Sequence, residues 1–228
     1  MKNQIKTIAF DADDTLWENE PYFREAELEF AKLLPHLPTE EVTKELFDIE
    51  MKNLKMYGYG IKGVMLCMME TFAKLSGDKI GNTIINQILD IGHQLLQKPV
   101  VLLDGIEETL QHLHGKYRLV MATKGDLLDQ ERKLEKSGLA KYFHHIEIMS
   151  DKQPDNYRKL IKHLDCKPEH FLMVGNSLKS DILPVLELNA FAVEVPFHTT
   201  WLHEMHEEPI EHPNFVSVTS IDQIIPLL

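Results

Sequence analysis

The 228-residue chain has few cysteines and no long hydrophobic run. Its two cysteines, Cys67 and Cys166, lack the spacing of a zinc site or a disulfide framework, so we expect two core thiols. No stretch approaches the roughly twenty apolar residues of a membrane-spanning helix, and the N-terminus has no apolar leader segment. We therefore expect a cytoplasmic protein without a membrane partner.

Positive charge is also scarce. The 24 lysines and arginines face 36 acidic residues, which gives a formal net charge of -12. Nucleic acids and anionic membranes attract basic surfaces, so neither is expected as the main partner. The same acidity disfavours an anionic substrate at long range. A phosphate would need local lysines and a metal ion to be held.

An apolar run near the N-terminus ends in a cluster of polar side chains. Ile5, Ile8 and Phe10 predict a strand that is buried on both faces. Acids just past such a strand need a cation or hydrogen bonds if they are buried, and the carboxyl end of a parallel strand is where ligands bind. Acids are also common turn formers and helix caps, and this alternative stays open for Asp14. The polar residues are Asp11, Asp13, Asp14 and Thr15.

The rest of the chain divides into an all-helical segment and an alternating one. From Pro99 onward strand and helix patterns alternate, which predicts an α/β fold: a doubly wound parallel sheet with helices on both faces. Residues 1–16 and 99–228 would form this core. Residues 17–98 show helical spacing, with a last helix from Ile80 to Leu96, and are too long for a loop. We interpret them as an inserted, all-helical cap domain.

Four motifs in order resemble those of the haloacid dehalogenase-like (HAD) hydrolases. Asp11-Ala-Asp-Asp-Thr15 matches the Asp-x-Asp-x-Thr motif, and Val120–Thr123 is similar to the second motif. Lys152 matches the third, and the segment from Phe171 to Asp181 the fourth. These motifs cover most of the chain outside residues 17–98. The resemblance implies a Rossmann-like core, and the position of the insertion resembles the C1-type cap of that family.

The resemblance implies catalytic roles for Asp11, Asp13, Thr123 and Lys152. Asp11 would be a nucleophile that forms an aspartyl-phosphate, with Asp13 as general acid and then base. Thr123 would orient a phosphoryl oxygen, although a lone threonine at a strand end is usually a cap. Lys152 would stabilise negative charge on the transferred group. Many relatives place this lysine directly before proline, whereas Gln153 intervenes here, so Lys124 is the substitute candidate.

The same resemblance implies a Mg²⁺ cofactor. Its expected ligands are the Asp11 carboxylate, the Asp13 backbone carbonyl, Asn176 and Asp181, together with water. Most family members have aspartate where this chain has Asn176. The amide still offers an oxygen, but the site loses one negative charge.

The expected partner is a small phosphorylated metabolite. Thr123 and Lys124 are predicted to bind it, together with Tyr57, Tyr59 and Lys62 of the insertion. A plain helix–helix loop with packed tyrosines stays open for that stretch. The histidines at 198, 203, 206 and 212 lack a zinc motif, so a solvated or interface loop is expected there.

These observations predict a Mg²⁺-dependent phosphatase. A haloacid dehalogenase is the weaker enzyme alternative, because cleavage of a carbon–halogen bond needs no proton donor at the position of Asp13. A phosphomutase is also compatible with an aspartyl-phosphate. A non-catalytic protein that binds metal or phosphate for regulation is the alternative of another class, and it is motivated by Asn176 and by the displaced Lys152.

Overall fold

The computed structural model describes residues 4–77, 81–206 and 208–228. The chain forms two compact units. The α/β unit comprises Met1–Glu20, Val100–Lys124 and Gln130–Leu228, and the helical unit comprises Pro21–Pro99 and Gly125–Asp129. Within the described ranges, no helix has both the length and the apolar character needed to cross a bilayer.

A parallel sheet forms the centre of the α/β unit. Over the described residues it has six strands in the order β3-β2-β1-β4-β5-β6. This arrangement confirms the predicted doubly wound parallel sheet. Because neighbouring strands are parallel, the chain must return from the end of one strand to the start of the next through a crossover connection. The strands are β1 (Thr7–Phe10), β2 (Arg118–Lys124), β3 (His145–Met149), β4 (Phe171–Gly175), β5 (Phe191–Glu194) and β6 (Phe215–Ser217).

Helices cover both faces of this sheet because successive strand residues point to opposite sides. One set of buried side chains, which includes Ile8 and Phe10, packs against α5. The alternate set, which includes Ala9, packs against α7 and α8. The helices of this part of the chain are α5 (Ile106–Leu113), α6 (Leu127–Ser137), α7 (Pro154–His163) and α8 (Leu183–Leu186), the last preceded by a π-helical turn over Leu178–Ile182.

The central strands β1 and β4 bring two polar segments together at their carboxyl ends. Phe10 pairs with Val174 in register, and the Asp11 amide donates to the Val174 carbonyl at 2.9 Å. Asp11 therefore leaves β1 beside Gly175, where β4 ends. This register brings the polar residues that follow β1 next to those that follow β4.

The helical unit packs around its own apolar core. Its helices are α1 (Glu20–Ala31), α2 (Thr39–Tyr57), α3 (Ile61–Ser76) and α4 (Asn82–Gln97). The predicted start of the last helix at Ile80 lies outside the described residues. Met68 is buried in this core, and Met65 and Met69 pack against it.

Two buried groups of this unit are polar or reactive. Burial and the neighbouring Glu27 raise the pKa of Glu50 in α2 to about 7, against the opposing effect of Arg24. Both cysteines are free. The prediction of a core thiol is confirmed for Cys67 in α3, whereas Cys166 is partly exposed at the margin of the α/β core.

Candidate active site

Three charged side chains meet at the carboxyl ends of β1 and β4. The Lys152 ammonium donates to Asp11 Oδ1 and, at 2.6 Å, to Asp181 Oδ1. Lys152 and Asp181 are each 1% exposed and Asp11 is 6% exposed. The three residues are 141 and 29 positions apart in sequence. The fold therefore brings together the acids and the lysine that the sequence motifs singled out.

Local structure explains how Lys152 reaches this position. It lies in the short connection between β3 and α7, two residues before Pro154, the first residue of the helix. The backbone amide of Gln153 donates to Asn156 Oδ1 at 3.2 Å, and the backbone amide of Asn156 donates to the backbone carbonyl of Gln153 at 2.9 Å. Gln153 thus caps the helix, and its insertion before Pro154 does not displace Lys152 from the site.

Asp181 is held by its backbone surroundings and by α7. Its Oδ2 accepts the Ser177 amide at 3.1 Å, and the Tyr157 hydroxyl lies 3.4 Å from its Oδ1. A Cβ at Gly175 would lie 2.3 Å from Asp181 Oδ2, closer than any real contact. Glycine is therefore required at the end of β4, because the Asp181 carboxylate occupies the space of a side chain.

The charges of this group do not balance. Burial raises the pKa of Asp11 to about 7, although Lys152 opposes the shift. Burial alone would lower the pKa of Lys152, but Asp11 and Asp181 raise it above its ordinary value, so the ammonium stays charged. Above pH 7, where Asp11 is ionised, one ammonium between two buried carboxylates leaves a net negative charge. A divalent cation fits this site, since it would supply the missing positive charge.

The chemistry of the oxygen donors agrees with magnesium. The Thr15 hydroxyl lies 3.2 Å from Asp11 Oδ2 and 3.1 Å from Asn176 Oδ1, and it accepts the Asn176 amide at 3.1 Å. Thr15 therefore holds the Asn176 side chain next to the carboxylate of Asp11. Carboxylate and amide oxygens are hard donors that suit Mg²⁺. The assignment of Asp11, the Asp13 carbonyl, Asn176 and Asp181 as ligands stays a prediction.

The side chain of Asp13 is bound by three donors that the sequence did not point to. Its Oδ1 accepts from Trp17 Nε1 at 2.7 Å and from Lys133 Nζ at 2.6 Å, and its Oδ2 accepts from Gln130 Nε2 at 2.7 Å. Gln130 and Lys133 are three residues apart and thus share one face of α6. That spacing is common on any helix, so only the structure identifies the pair.

Asp14 has the alternative role that the sequence left open. Its Oδ1 accepts the backbone amides of Asn19 at 2.8 Å and Glu20 at 3.0 Å, at the start of α1. Its backbone has a positive φ of 60°, a conformation that aspartate tolerates better than most residues. Asp14 therefore stabilises the turn after β1.

Thr123 and Lys124 lie at the end of β2. Thr123 is buried, and its hydroxyl makes a long contact of 3.4 Å with the Lys124 carbonyl. Lys124 pairs with Glu204 and donates to Ser180 Oγ at 2.9 Å, so it does not replace Lys152. Burial would raise the pKa of Glu204, but Lys124 and the hydroxyls of Ser177 and Ser180 hold it at about 2. Roles of Thr123 and Lys124 in substrate binding stay predictions.

Glu204 comes from the segment that the sequence treated as a solvated or interface loop. It ends a 3₁₀ turn over Leu202–Glu204 and is largely buried. Among the described residues, the histidines at 198, 203, 206 and 212 belong to no cluster of three metal-ligating side chains. No local pattern marks Glu204, because its partners Lys124, Ser177 and Ser180 lie far from it in the sequence.

The remaining candidates belong to the helical unit. The Tyr57 hydroxyl donates to Glu70, and Lys62 pairs with Asp126 at 2.9 Å. Tyr59 is partly buried. The proposed contacts of Tyr57, Tyr59 and Lys62 with a substrate stay predictions.

Comparison with known proteins gives a family and two phosphatase relatives. The family model described as haloacid dehalogenase-like hydrolase matches residues 5–185. Glyceraldehyde 3-phosphate phosphatase of Methanothermobacter thermautotrophicus is 32% identical over 126 residues, which are 52% of this chain and 54% of that protein. The match thus spans about half the length of that phosphatase. N-acylneuraminate-9-phosphatase of Mus musculus is 22% identical over 91% of this chain and 86% of its own.

Solved structures share the fold. A haloacid dehalogenase-like family hydrolase from Xanthomonas campestris has a TM-score of 0.85 and 35% identity, and the match covers 96% of this chain and 88% of that one. Haloacid dehalogenases also match, one from Pseudomonas syringae with a TM-score of 0.68 and 16% identity over 98% of this chain and 97% of its own. At that identity the likeness shows the fold alone.

Proposed function

Because the chain belongs to the haloacid dehalogenase-like hydrolase family, we propose that it is a Mg²⁺-dependent phosphatase that acts on a small phosphorylated metabolite. The observation that carries the proposal is the buried group of Asp11, Lys152 and Asp181. The two phosphatase relatives support the same reaction. The substrate of neither relative is assumed for this chain.

In the proposed reaction an oxygen of Asp11 attacks the phosphorus atom of a phosphate monoester. The bond from phosphorus to the alcohol oxygen breaks, and the departing oxygen takes a proton from Asp13. Asp13 then accepts a proton from water, which attacks the phosphorus of the aspartyl-phosphate and releases phosphate and the Asp11 carboxylate. Splitting the hydrolysis in this way replaces one difficult displacement with two easier ones.

The other side chains position these groups and stabilise charge. Lys152 contacts Asp11 and would stabilise the negative charge of the transferred phosphoryl group. A bound Mg²⁺ ion would act as a Lewis acid on the phosphoryl oxygens. Trp17, Gln130 and Lys133 hold the Asp13 carboxylate, so Asp13 must leave these donors to reach a leaving oxygen. That rearrangement would be one step of turnover.

The dehalogenase alternative is less well supported. Hydrolysis of a carbon–halogen bond needs the nucleophile but no proton donor, whereas the motif here places Asp13 two residues after Asp11. Measuring chloride release from small 2-haloacids distinguishes the two reactions. A phosphomutase would transfer the phosphoryl group to a sugar phosphate, so release of inorganic phosphate argues against it.

The test is a panel of phosphate monoesters assayed for phosphate release with and without Mg²⁺. The panel includes glyceraldehyde 3-phosphate, N-acylneuraminate 9-phosphate and phosphoglycolate. We expect the protein to hydrolyse at least one of these esters in a Mg²⁺-dependent reaction. The rate should fall at least about a thousandfold in Asp11→Asn, since loss of a nucleophile removes the main reaction path. Asp155→Asn, at an exposed position of α7, is the matched control and should keep full activity.

Two results would reject the proposal. Full activity of a folded Asp11→Asn protein would show that Asp11 is not the nucleophile. Failure of every ester, with the wild-type protein folded and supplied with Mg²⁺, would favour the non-catalytic regulatory protein. The expected cytoplasmic location stays a prediction, and imaging of the tagged full-length protein checks it.

A further inference from the structure

Three side chains with metal-binding chemistry meet on the α/β unit away from the Asp11 site. They are His145 and Glu147 of β3 and His163, the last residue of α7. Nε2 of His145 lies 2.9 Å from Oε2 of Glu147, and Nδ1 of His163 lies 4.0 Å from the same oxygen. One ligand atom from each of the three residues lies within 4.8 Å of the others.

The fold separates this group from Asp11 by one strand. In the sheet β2 lies between β3 and β1, and His145 pairs with Val120, which in turn pairs with Ala9. Helix α7 starts after Lys152 and runs back along the sheet, and the carbonyl of Leu164, the residue after this helix, accepts from Arg118 at the start of β2. The two groups share no side chain, so ions bound at one need not compete for the ligands of the other.

The arrangement follows from strand and helix geometry. His145 and Glu147 are two residues apart in a strand, so both side chains point to the same face as Met149, which packs with Tyr157 and Leu160 of α7. His163 is three residues after Leu160 and therefore lies on the same side of that helix. The rings of His145 and His163 have their centroids 5.0 Å apart.

We propose that His145, Glu147 and His163 form a zinc site. Two imidazoles and one carboxylate are a ligand set that Zn²⁺ accepts, with a fourth position left for water. Zinc at about 2.0–2.2 Å from each nitrogen or oxygen needs ligand atoms that are roughly 3.3 Å apart in a tetrahedron. The observed 2.9 and 4.0 Å bracket that spacing. His163 is 68% exposed at its side chain, so its ring can turn toward the other two without disturbing the core.

Such a site has a structural consequence. Strand β3 lies at the edge of the sheet and, among the described strands, pairs with β2. An ion bound by residues of β3 and α7 would tie this edge strand to the helix that follows it. Zinc should therefore stabilise the α/β unit even when the Asp11 site is inactive.

The experiment measures zinc affinity of the full-length protein after removal of metals with a chelator. Zinc is titrated against a chromophoric chelator in the presence of excess Mg²⁺, in the Asp11→Asn background, so that the other site contributes less. We expect one zinc ion per chain. His163→Ala should reduce the zinc affinity at least about tenfold, because even the loss of a residue that only hydrogen-bonds a metal ligand lowers affinity by about that factor. His93→Ala, at an exposed histidine of α4, is the matched control and should bind zinc like the parent.

A second measurement separates ligation from folding. Zinc should raise the melting temperature of the parent and of His93→Ala, and this rise should disappear in Glu147→Gln and in His163→Ala. The proposal would be overturned by equal zinc affinities and an equal rise in melting temperature in the parent, His93→Ala, Glu147→Gln and His163→Ala. A parent protein that fails to bind zinc would overturn it as well. Loss of the rise with unchanged melting temperatures in the absence of zinc would support it, because it shows that the variants fold normally.

Discussion

The most informative perturbation of the candidate active site is Lys152→Met. Methionine is close in size to lysine, so the change removes the charge with little change of volume. Lys152 is 1% exposed and contacts both Asp11 and Asp181. The variant leaves two buried carboxylates without the cation that separates them.

The expected loss of stability follows from that geometry. Removal of one partner from a buried ion pair costs about 3–5 kcal/mol, because the remaining charge is left unpaired in a poorly solvated place. Here two carboxylates lose the same ammonium, whose distance to Asp181 is 2.6 Å. We therefore expect the upper part of that range for metal-free protein at about pH 8.

The loss of stability should depend on pH, because Asp11 titrates. Burial already raises the pKa of Asp11 to about 7 against the effect of Lys152, and loss of Lys152 raises it further, so the folded protein holds a proton that the unfolded chain releases. A raised carboxyl pKa makes folding less favourable as the pH rises through it. The loss of stability in Lys152→Met should therefore be largest near pH 8 and should shrink toward about pH 5, where Asp11 holds its proton in the folded protein.

Urea denaturation followed by tryptophan fluorescence measures the effect. Trp17 and Trp201 both lie in the α/β unit, so their emission reports the unfolding of that unit. Lys159→Met, at an exposed position of α7, is the matched control and should change stability by less than about 0.5 kcal/mol. Adding Asp181→Asn to Lys152→Met should recover part of the loss, since one unpaired charge is removed.

An unchanged free energy of unfolding in Lys152→Met would refute the reasoning. A loss that is the same at pH 5 and pH 8 would also refute it, because packing alone would then explain the effect. Phosphate release should fall in the same variant under saturating Mg²⁺. Full activity would show that Lys152 does not stabilise the transferred group.

Three further predictions concern backbone space, a buried acid and a helix cap. Gly175→Ala should lower phosphatase activity at least tenfold, because its Cβ would lie 2.3 Å from Asp181 Oδ2; Gly81→Ala, whose Cβ would meet nothing within 4 Å, should be silent in the same assay. Glu50→Gln should stabilise the protein at pH 8 by at most about 3 kcal/mol in urea denaturation and should have little effect at pH 5. The reason is that a pKa raised from 4.5 to about 7 destabilises the folded state as the pH rises. A gain of the same size at both pH values would contradict this cause. Asp14→Ala should lose about 1–2 kcal/mol in thermal unfolding at about pH 4, because two amides lose their acceptor. At that pH the group is neutral in the folded protein, since burial raises the pKa of Asp14 to about 7, so the loss of charge does not obscure the effect. Asp14→Asn should lose less because its side-chain oxygen can still accept, and equal losses in the two variants would exclude the capping role.

The sequence by itself determined the fold class and the identity of the central charged residues. The alternation of strand and helix patterns after Pro99 predicted a doubly wound sheet, because parallel strands require crossover helices. Acids just after predicted strands indicated a site at the carboxyl ends of the strands. Asp11, Lys152 and Asp181 do meet there, although Gln153 had cast doubt on Lys152.

Only the tertiary structure decided which groups hold these residues in place. Some of these groups bind partners that are more than twenty residues away in the sequence, namely Gln130, Lys133 and Glu204. No local pattern marks such residues, because a polar side chain on a helix or loop is ordinarily solvated. The difference between Lys152 in the site and Lys124 in a pair with Glu204 likewise depends on three-dimensional packing, since both lysines stand at or after the carboxyl end of a strand.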